Sequence, residues 1–236
     1  KEYNPDFVFH VCYDKIHTEF IKLKDVAKVY VVQCDDDYRY DNFAKYWIPF
    51  VDGVISYPGD FEKYKKDGLL ENQFVKIKWG FNPNTMMYNK KKTTDIFLSH
   101  GGGLHADRVD KINQFKTKGD MDVSVINNCF YEELKQVWNS SKFSLTFTQN
   151  AMMAGQQVKG RVAEIPNFCV MVSEYFPGLE NYYDLEKEII LFSSVEEAID
   201  KINYFNENDK EYNKILKAGK DRVWNTNTHY HSWNNI

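Results

Sequence analysis

"DIFLSHGGGLHADRVDKINQF", residues 95–115, begins with a short apolar run, turns through three successive glycines and ends in a helix-length amphipathic stretch. Asp95–Ser99 reads as a strand and Ala106–Phe115 as a helix. Strand, tight loop and helix in that order form the repeating unit of a parallel α/β layer. Downstream the alternation continues through strand Met121–Ile126, helix Tyr131–Asn139, strand Phe143–Thr148, a helix starting near Gly160, and strands Phe168–Ser173 and Ile189–Phe192. Two helices follow, Val195–Phe205 and Asp209–Trp224, the first with Val195, Ala198, Ile199, Ile202 and Phe205 on one face.

Upstream the same grammar gives strands Phe7–Cys12, Val26–Cys34, Val51–Ser56 and Phe74–Lys78, with helices near Asp14–Leu23, Asn42–Ile48 and Asp60–Lys66. Near-continuous apolar strands of this kind are expected to be covered on both faces. "GFNPNTMMYNKKKTT", residues 80–94, interrupts the pattern with Gly, Pro, Asn and a lysine run, and reads as a linker. A domain boundary is placed there, giving domains 1–88 and 89–236. Two α/β units facing each other would form a ligand cleft between their strand carboxyl ends.

Composition narrows the function. The 236 residues carry 30 basic and 34 acidic side chains, a net charge of −4, with no basic block able to neutralise a nucleic-acid backbone, so no nucleic-acid partner is expected. The cysteines, at 12, 34, 129 and 169, form no CxxC pair and read as reduced thiols of a cytoplasmic protein. No apolar stretch approaches the roughly 20 residues of a transmembrane segment. A start at lysine suggests a fragment or a processed product.

"GQQVKGRVAEIPNFCVMVSEYFPGLENYY", residues 155–183, holds the densest chemistry. Gly155 and Gly160 permit tight turns, Lys159 and Arg161 place two cations near a helix start, and Glu164 follows one turn later. A helix amino end with adjacent cations suits a phosphate, and a carboxylate can accept both hydroxyls of a ribose. The same spacing also describes a plain Arg161–Glu164 surface ion pair.

Taken with "TDIFLSHGGGLHADR", "VWNSSKFSLTFTQN", "KEIILFSSVEEAIDKINYF" and "AGKDRVWNTNTHYHSW", this stretch resembles the donor-binding half of GT-B glycosyltransferases. The resemblance, from about residue 93 onward, is to the spore-maturation-protein-B-like group related to the family 4 retaining enzymes. It implies two facing Rossmann-like domains, a nucleotide-diphosphate sugar as donor, a glycan or other hydroxyl acceptor, and neither cofactor nor obligatory metal. It places Lys159 and Arg161 at the diphosphate, Glu164 on the ribose, and the Pro177–Gly178–Leu179–Glu180 turn beside the donor. His100, Gly101 and Gly102 fall where that family brings backbone close to the phosphates; Arg108 can reach a phosphate or be plain helix surface. The family's second glutamate, eight positions before the ribose glutamate, is replaced here by Gln156, which can hydrogen-bond a sugar hydroxyl but cannot stabilise a developing positive charge. The first domain is shorter than a complete Rossmann-like domain.

On the acceptor side, His10 at the end of the first strand matches a family histidine that points at the donor sugar; a buried structural histidine is the other reading. Asp35, Asp36 and Asp37 follow the second strand. In a GT-B protein Asp35 or Asp36 could orient an acceptor hydroxyl, whereas in a GT-A transferase the triplet would bind Mn²⁺ or Mg²⁺; a solvated turn remains the third reading. A non-catalytic sugar-nucleotide-binding module is the alternative that Gln156 and the short first domain raise. His229 and His231 are expected to cap or pack the final helix rather than bind metal.

Overall fold

The β-branched and aromatic runs form two separate all-parallel sheets in the computed structural model, which describes residues 4–11, 18–34, 37–57, 59, 61–87, 91–127, 131–149 and 156–234. Asp35, Asp36, Cys12, Cys129 and Gly155 lie outside the described residues. The chain divides into two compact units, one comprising Lys1–Lys78 with Trp233–Ile236, the other Trp79–Ser232.

In the first unit, β1 (Phe7–Val11), β2 (Lys28–Gln33), β3 (Gly53–Ser56) and β4 (Phe74–Lys76) lie in chain order across one sheet. Helices α1 (Asp37–Asn42) and α2 (Phe61–Lys65) alternate with 3-10 turns between them. The expected helix over Asn42–Ile48 is instead the end of α1 and two 3-10 turns, Ala44–Tyr46 and Ile48–Phe50, the second with Pro49 near its start. Val29, Val31 and Val54 pack on one face beneath Tyr40, Ala44, Ile48 and Tyr64. The edge strand departs from the expectation of two covered faces: Phe7, Phe9 and Val11 are 52, 53 and 48% exposed. The Phe7 and Phe9 rings form an aromatic patch with Tyr30 and, edge-on to Phe9, Trp233.

In the second unit, β5 (Ile96–Gly101), β6 (Val123–Ile126), β7 (Ser141–Thr146), β8 (Val170–Glu174) and β9 (Ile190–Phe192) are ordered β6-β5-β7-β8-β9. Its helices are α3 (Pro83–Met86), α4 (Ala106–Gly119), α5 (Tyr131–Ser140), α6 (Arg161–Glu164), α7 (Val195–Glu207), α8 (Asp209–Thr226) and, up to Ser232, α9 (His229–Trp233). Leu98, Phe143, Leu145, Val170 and Val172 face Phe115 of α4 and Ala198, Ile199 and Ile202 of α7. Met171 and Leu191 face Trp138 of α5, Val162 of α6 and Val223 of α8. Helices therefore cover both faces, as the uninterrupted apolar strands require.

Ser194 caps α7 by accepting from the Glu197 amide, while Glu197 accepts in return from Ser193 N–H, so the helix begins where its apolar stripe begins. Residues 79–87 are not a loose linker: Phe81 and Met86 are 1 and 2% exposed and belong to the core of the second unit. Apolar burial outweighs the Gly, Pro and Asn content there. No helix among the described residues is long and apolar enough to cross a membrane.

Candidate functional site

The strand order reverses between β5 and β7, and in open α/β sheets the connections that diverge at such a point leave a crevice at the strand carboxyl ends. Here those ends are His100–Gly101, followed by Gly102 and Gly103, and Thr146, followed by residues 147–149.

The glycines are required by close approach. A Cβ on Gly101 would fall 2.5 Å from Leu134 Cδ2 of α5. Gly102 has φ +134°, its N–H donates to Ile126 O at 2.7 Å, and a Cβ there would fall 2.5 Å from Arg161 Nη2. The Arg161 guanidinium thus lies directly against the Gly102 backbone, although 59 residues (161 minus 102) separate them.

Arg161 is set there by its neighbours. Trp79 packs on Gly160, with Cε3 3.3 Å from a built Cβ, while its indole N–H donates to Val158 O at 2.9 Å and its backbone N–H to Tyr182 Oη at 2.8 Å. Sequence reading missed Trp79, because nothing local marks it as the support of a segment some eighty positions away. One expectation is corrected: α6 is a single turn, passing at Ile165 into a 3-10 turn that contains Pro166. So short a helix gathers little macrodipole, and positive potential here must come from side chains.

Arg108, left open by the sequence, is 3% exposed. Its Nη1 donates to Gly103 O at 2.7 Å and its Nη2 to Gln149 O at 2.6 Å. Burial lowers its pKa, and Arg161 lowers it further. His105, also missed, has its ring beside Gly103. Burial lowers its pKa, as do Arg108, Lys159 and Arg161, which puts three cations in Coulombic reach of one imidazole.

His100 is 1% exposed, with Nδ1 3.1 Å from Leu145 O. Burial lowers its pKa to about 4 against that hydrogen bond, with Arg161, Arg108 and His105 adding to the fall, so the ring is neutral at pH 7. Nδ1–H then donates to the carbonyl, and Nε2, which has no hydrogen-bond partner among the described residues, is an acceptor.

Glu164 is half-buried, its pKa raised by burial against the opposing effect of Arg161, and Tyr131 Oη lies 3.5 Å from Oε1. Gln156 is exposed and bridges Gln149 as an antiparallel pair, which brings it to the loop after β7. Gly178 has φ +107°, and its N–H donates to Glu180 Oε2 at 2.8 Å, so the exposed Glu180 caps its own turn.

Another set escaped the sequence. Glu174, at the end of β8, accepts from Lys111 Nζ at 2.5 Å and, through its other oxygen, from Thr148 N and Oγ1 at 3.2 and 3.0 Å. Lys111 also pairs with Asp107 at 2.9 Å.

In the first unit His10 is half-buried on β1, with its pKa lowered by burial. His231 Nδ1 lies 2.7 Å from Thr228 Oγ1 at the start of α9, the capping role expected of it. Among the described residues no three His, Cys, Asp or Glu side chains are grouped to hold a metal ion.

No curated protein matches the chain. Among solved structures it is similar to an α-glucosyltransferase in complex with UDP and a 13-mer DNA, at 12% identity and TM-score 0.67, covering 98% of this chain and 78% of that one. HepE of Anabaena in complex with UDP-glucose is 11% identical, with TM-score 0.64 and coverage of 94 and 75%. The T4 phage BGT in complex with UDP and Mn²⁺ is 11% identical, with TM-score 0.55 and coverage of 93 and 77%. At such identities the likeness speaks for the fold, which is GT-B and not the GT-A alternative raised by the aspartates. Residues 97–236, more than half the chain and all the residues at the β5–β7 crevice, match a sequence family, and by that match the chain belongs to the glycosyl transferase-like family and is a glycosyltransferase.

Proposed function

We propose that this enzyme moves a sugar from a nucleotide-diphosphate donor to an acceptor hydroxyl, with retention and without a metal ion, and that it acts in the cytoplasm as a relative of the spore-maturation-protein-B-like group. The observation that carries the reading is the Arg161 guanidinium lying on the Gly102 backbone at the strand-order reversal. Glycine loops let a diphosphate approach main chain, and a cation fixed beside such a loop stabilises charge that builds on the leaving group.

In this reading the carboxyl-terminal domain, expected from the sequence at 89–236 and reaching back to Trp79 in the structure, holds the donor, and the amino-terminal domain serves the acceptor. Lys159 and Arg161 bind the diphosphate, joined by the Gly101–Gly102 backbone. Glu164 accepts the ribose hydroxyls, its partial burial strengthening those hydrogen bonds. The turn at Gly178 and Glu180 borders the donor, and the exposed Gln156 amide reaches a sugar hydroxyl. His100, a neutral acceptor at Nε2, suits a hydroxyl or N–H of the donor better than a phosphate oxygen, which has nothing to donate. His10 and either Asp35 or Asp36 are assigned to the acceptor side. As the anomeric carbon–oxygen bond breaks, its electron pair leaves with the diphosphate; the acceptor oxygen bonds to that carbon on the face being vacated, which retains the configuration, and its proton passes to the departing diphosphate oxygen.

The test is calorimetry with UDP, GDP, ADP and TDP on the native protein and on Arg161→Ala. Selective binding of one diphosphate, lost in the variant at unchanged melting temperature, is expected. Equal affinity in both proteins would overturn the assignment. Full activity after chelation supports metal independence; activity restored only by Mn²⁺ refutes it.

A further inference from the structure

Arg108 occupies an unusual position for a cation: it is 3% exposed and forms no ion pair among the described residues. Its fork ends on two main-chain carbonyls, Gly103 O at 2.7 Å and Gln149 O at 2.6 Å, from the loops that follow β5 and β7. Those two loops flank the strand-order reversal. A planar guanidinium holds two acceptors in fixed relative geometry, and its charge strengthens each bond relative to a neutral donor.

A second brace acts on the same loop. Thr148 is held through its N–H and hydroxyl by Glu174, and Glu174 is held by Lys111, one turn along α4 from Arg108. Helix α4 therefore grips the loop after β7 twice, and through Arg108 it also ties that loop to the glycine loop. Gly103 adjoins Gly102, against which Arg161 lies, so a shift of the glycine loop moves the backbone relative to that guanidinium.

We infer that Arg108 is a positioning residue for the donor diphosphate: it fixes the Gly101–Gly103 loop to the loop carrying Gln149, and thereby sets where main chain and Arg161 meet the phosphates. The inference rests on the donor reading proposed above. It differs from a role in stability because it concerns phosphate recognition and leaves recognition of the nucleoside alone.

The experiment compares the full chain with Arg108→Gln and Arg108→Lys, measuring affinity for the best-binding of UDP, GDP, ADP and TDP and for its parent nucleoside. The ratio of the two affinities is independent of the fraction of protein that is folded. Displacing a positioned group by about an ångström costs on the order of 100-fold, so the diphosphate preference should fall by about tenfold to 100-fold in Arg108→Gln. Arg108→Lys, which keeps the charge but loses the fork, should recover only part of it. An unchanged ratio in either variant overturns the inference while leaving the donor reading intact. A native protein that binds none of the four diphosphates overturns both.

Discussion

The first sheet runs β1-β2-β3-β4 in chain order, whereas the second runs β6-β5-β7-β8-β9 and reverses about its first strand. In the first, the main apolar cluster lies on one face, and on the other Val32 and Ile55 are buried while the edge strand presents Phe7, Phe9 and Val11 outward. In the second, helices cover both faces, and Arg108, Arg161, Lys159 and His105 gather where the connections diverge. Both sheets are parallel and built from similar residues. The difference teaches that strand order, and not strand composition, locates where the cations of this chain gather.

The sharpest way to separate the two units is through packing. Leu145→Ala empties a fully buried position in the middle of the second sheet and should cost about 2–5 kcal/mol, read as faster amide exchange throughout β7 with β2 and β3 of the first unit unchanged. Equal loss of protection in both units would dissolve the distinction between them.

Acid should act on the second unit through His100. The unfolded chain takes up a proton near the ordinary value of 6.5, while the folded ring takes it up only at about 4. The unfolded state thus binds more protons between these values, so this contribution is complete above pH 6.5 and declines as pH falls toward 4. It amounts to roughly 3 kcal/mol. His100→Gln should flatten the pH dependence of second-unit exchange protection, and a variant with the native slope would contradict the assignment.

Gly102→Ala comes next. Its positive φ and the close Arg161 guanidinium should cost about 1–3 kcal/mol of stability, together with diphosphate affinity measured by calorimetry. Retained affinity would show that the loop has room that the structure denies it. The smallest effect belongs to the first unit. Phe9→Ser, on the exposed side of β1, should change stability by less than about 0.5 kcal/mol and leave diphosphate affinity alone, and a larger loss would mean that the patch is covered in the working protein.

Much of this fold was legible because its signals are local. The stripe Val195, Ala198, Ile199 and Ile202 repeats at the helical period, and all four are buried in α7. The runs at 95–99 and 143–148 lie next to turn residues, and both are strands to within a few residues. The helix expected at Gly160 was overstated because a one-turn α6 and a 3-10 turn share its local apolar spacing. Of the candidate site, the residue types at Gly102, Lys159 and Arg161 could be read, but not Trp79, Glu174 or the role of Arg108, whose partners lie far along the chain or are backbone carbonyls.

By itself the sequence determined the strands and the long helices of the second unit, the apolar stripe of α7, and that cations follow a glycine loop in chain order, since each depends on neighbours within a few residues. Only the tertiary structure decided that β5 lies between β6 and β7, that Arg161 rests on Gly102, and that Arg108 joins two loops from within the protein. Periodicity tells a side chain which way to face but carries no information about which distant segment it will meet; that is settled when the sheet is ordered and the connections cross.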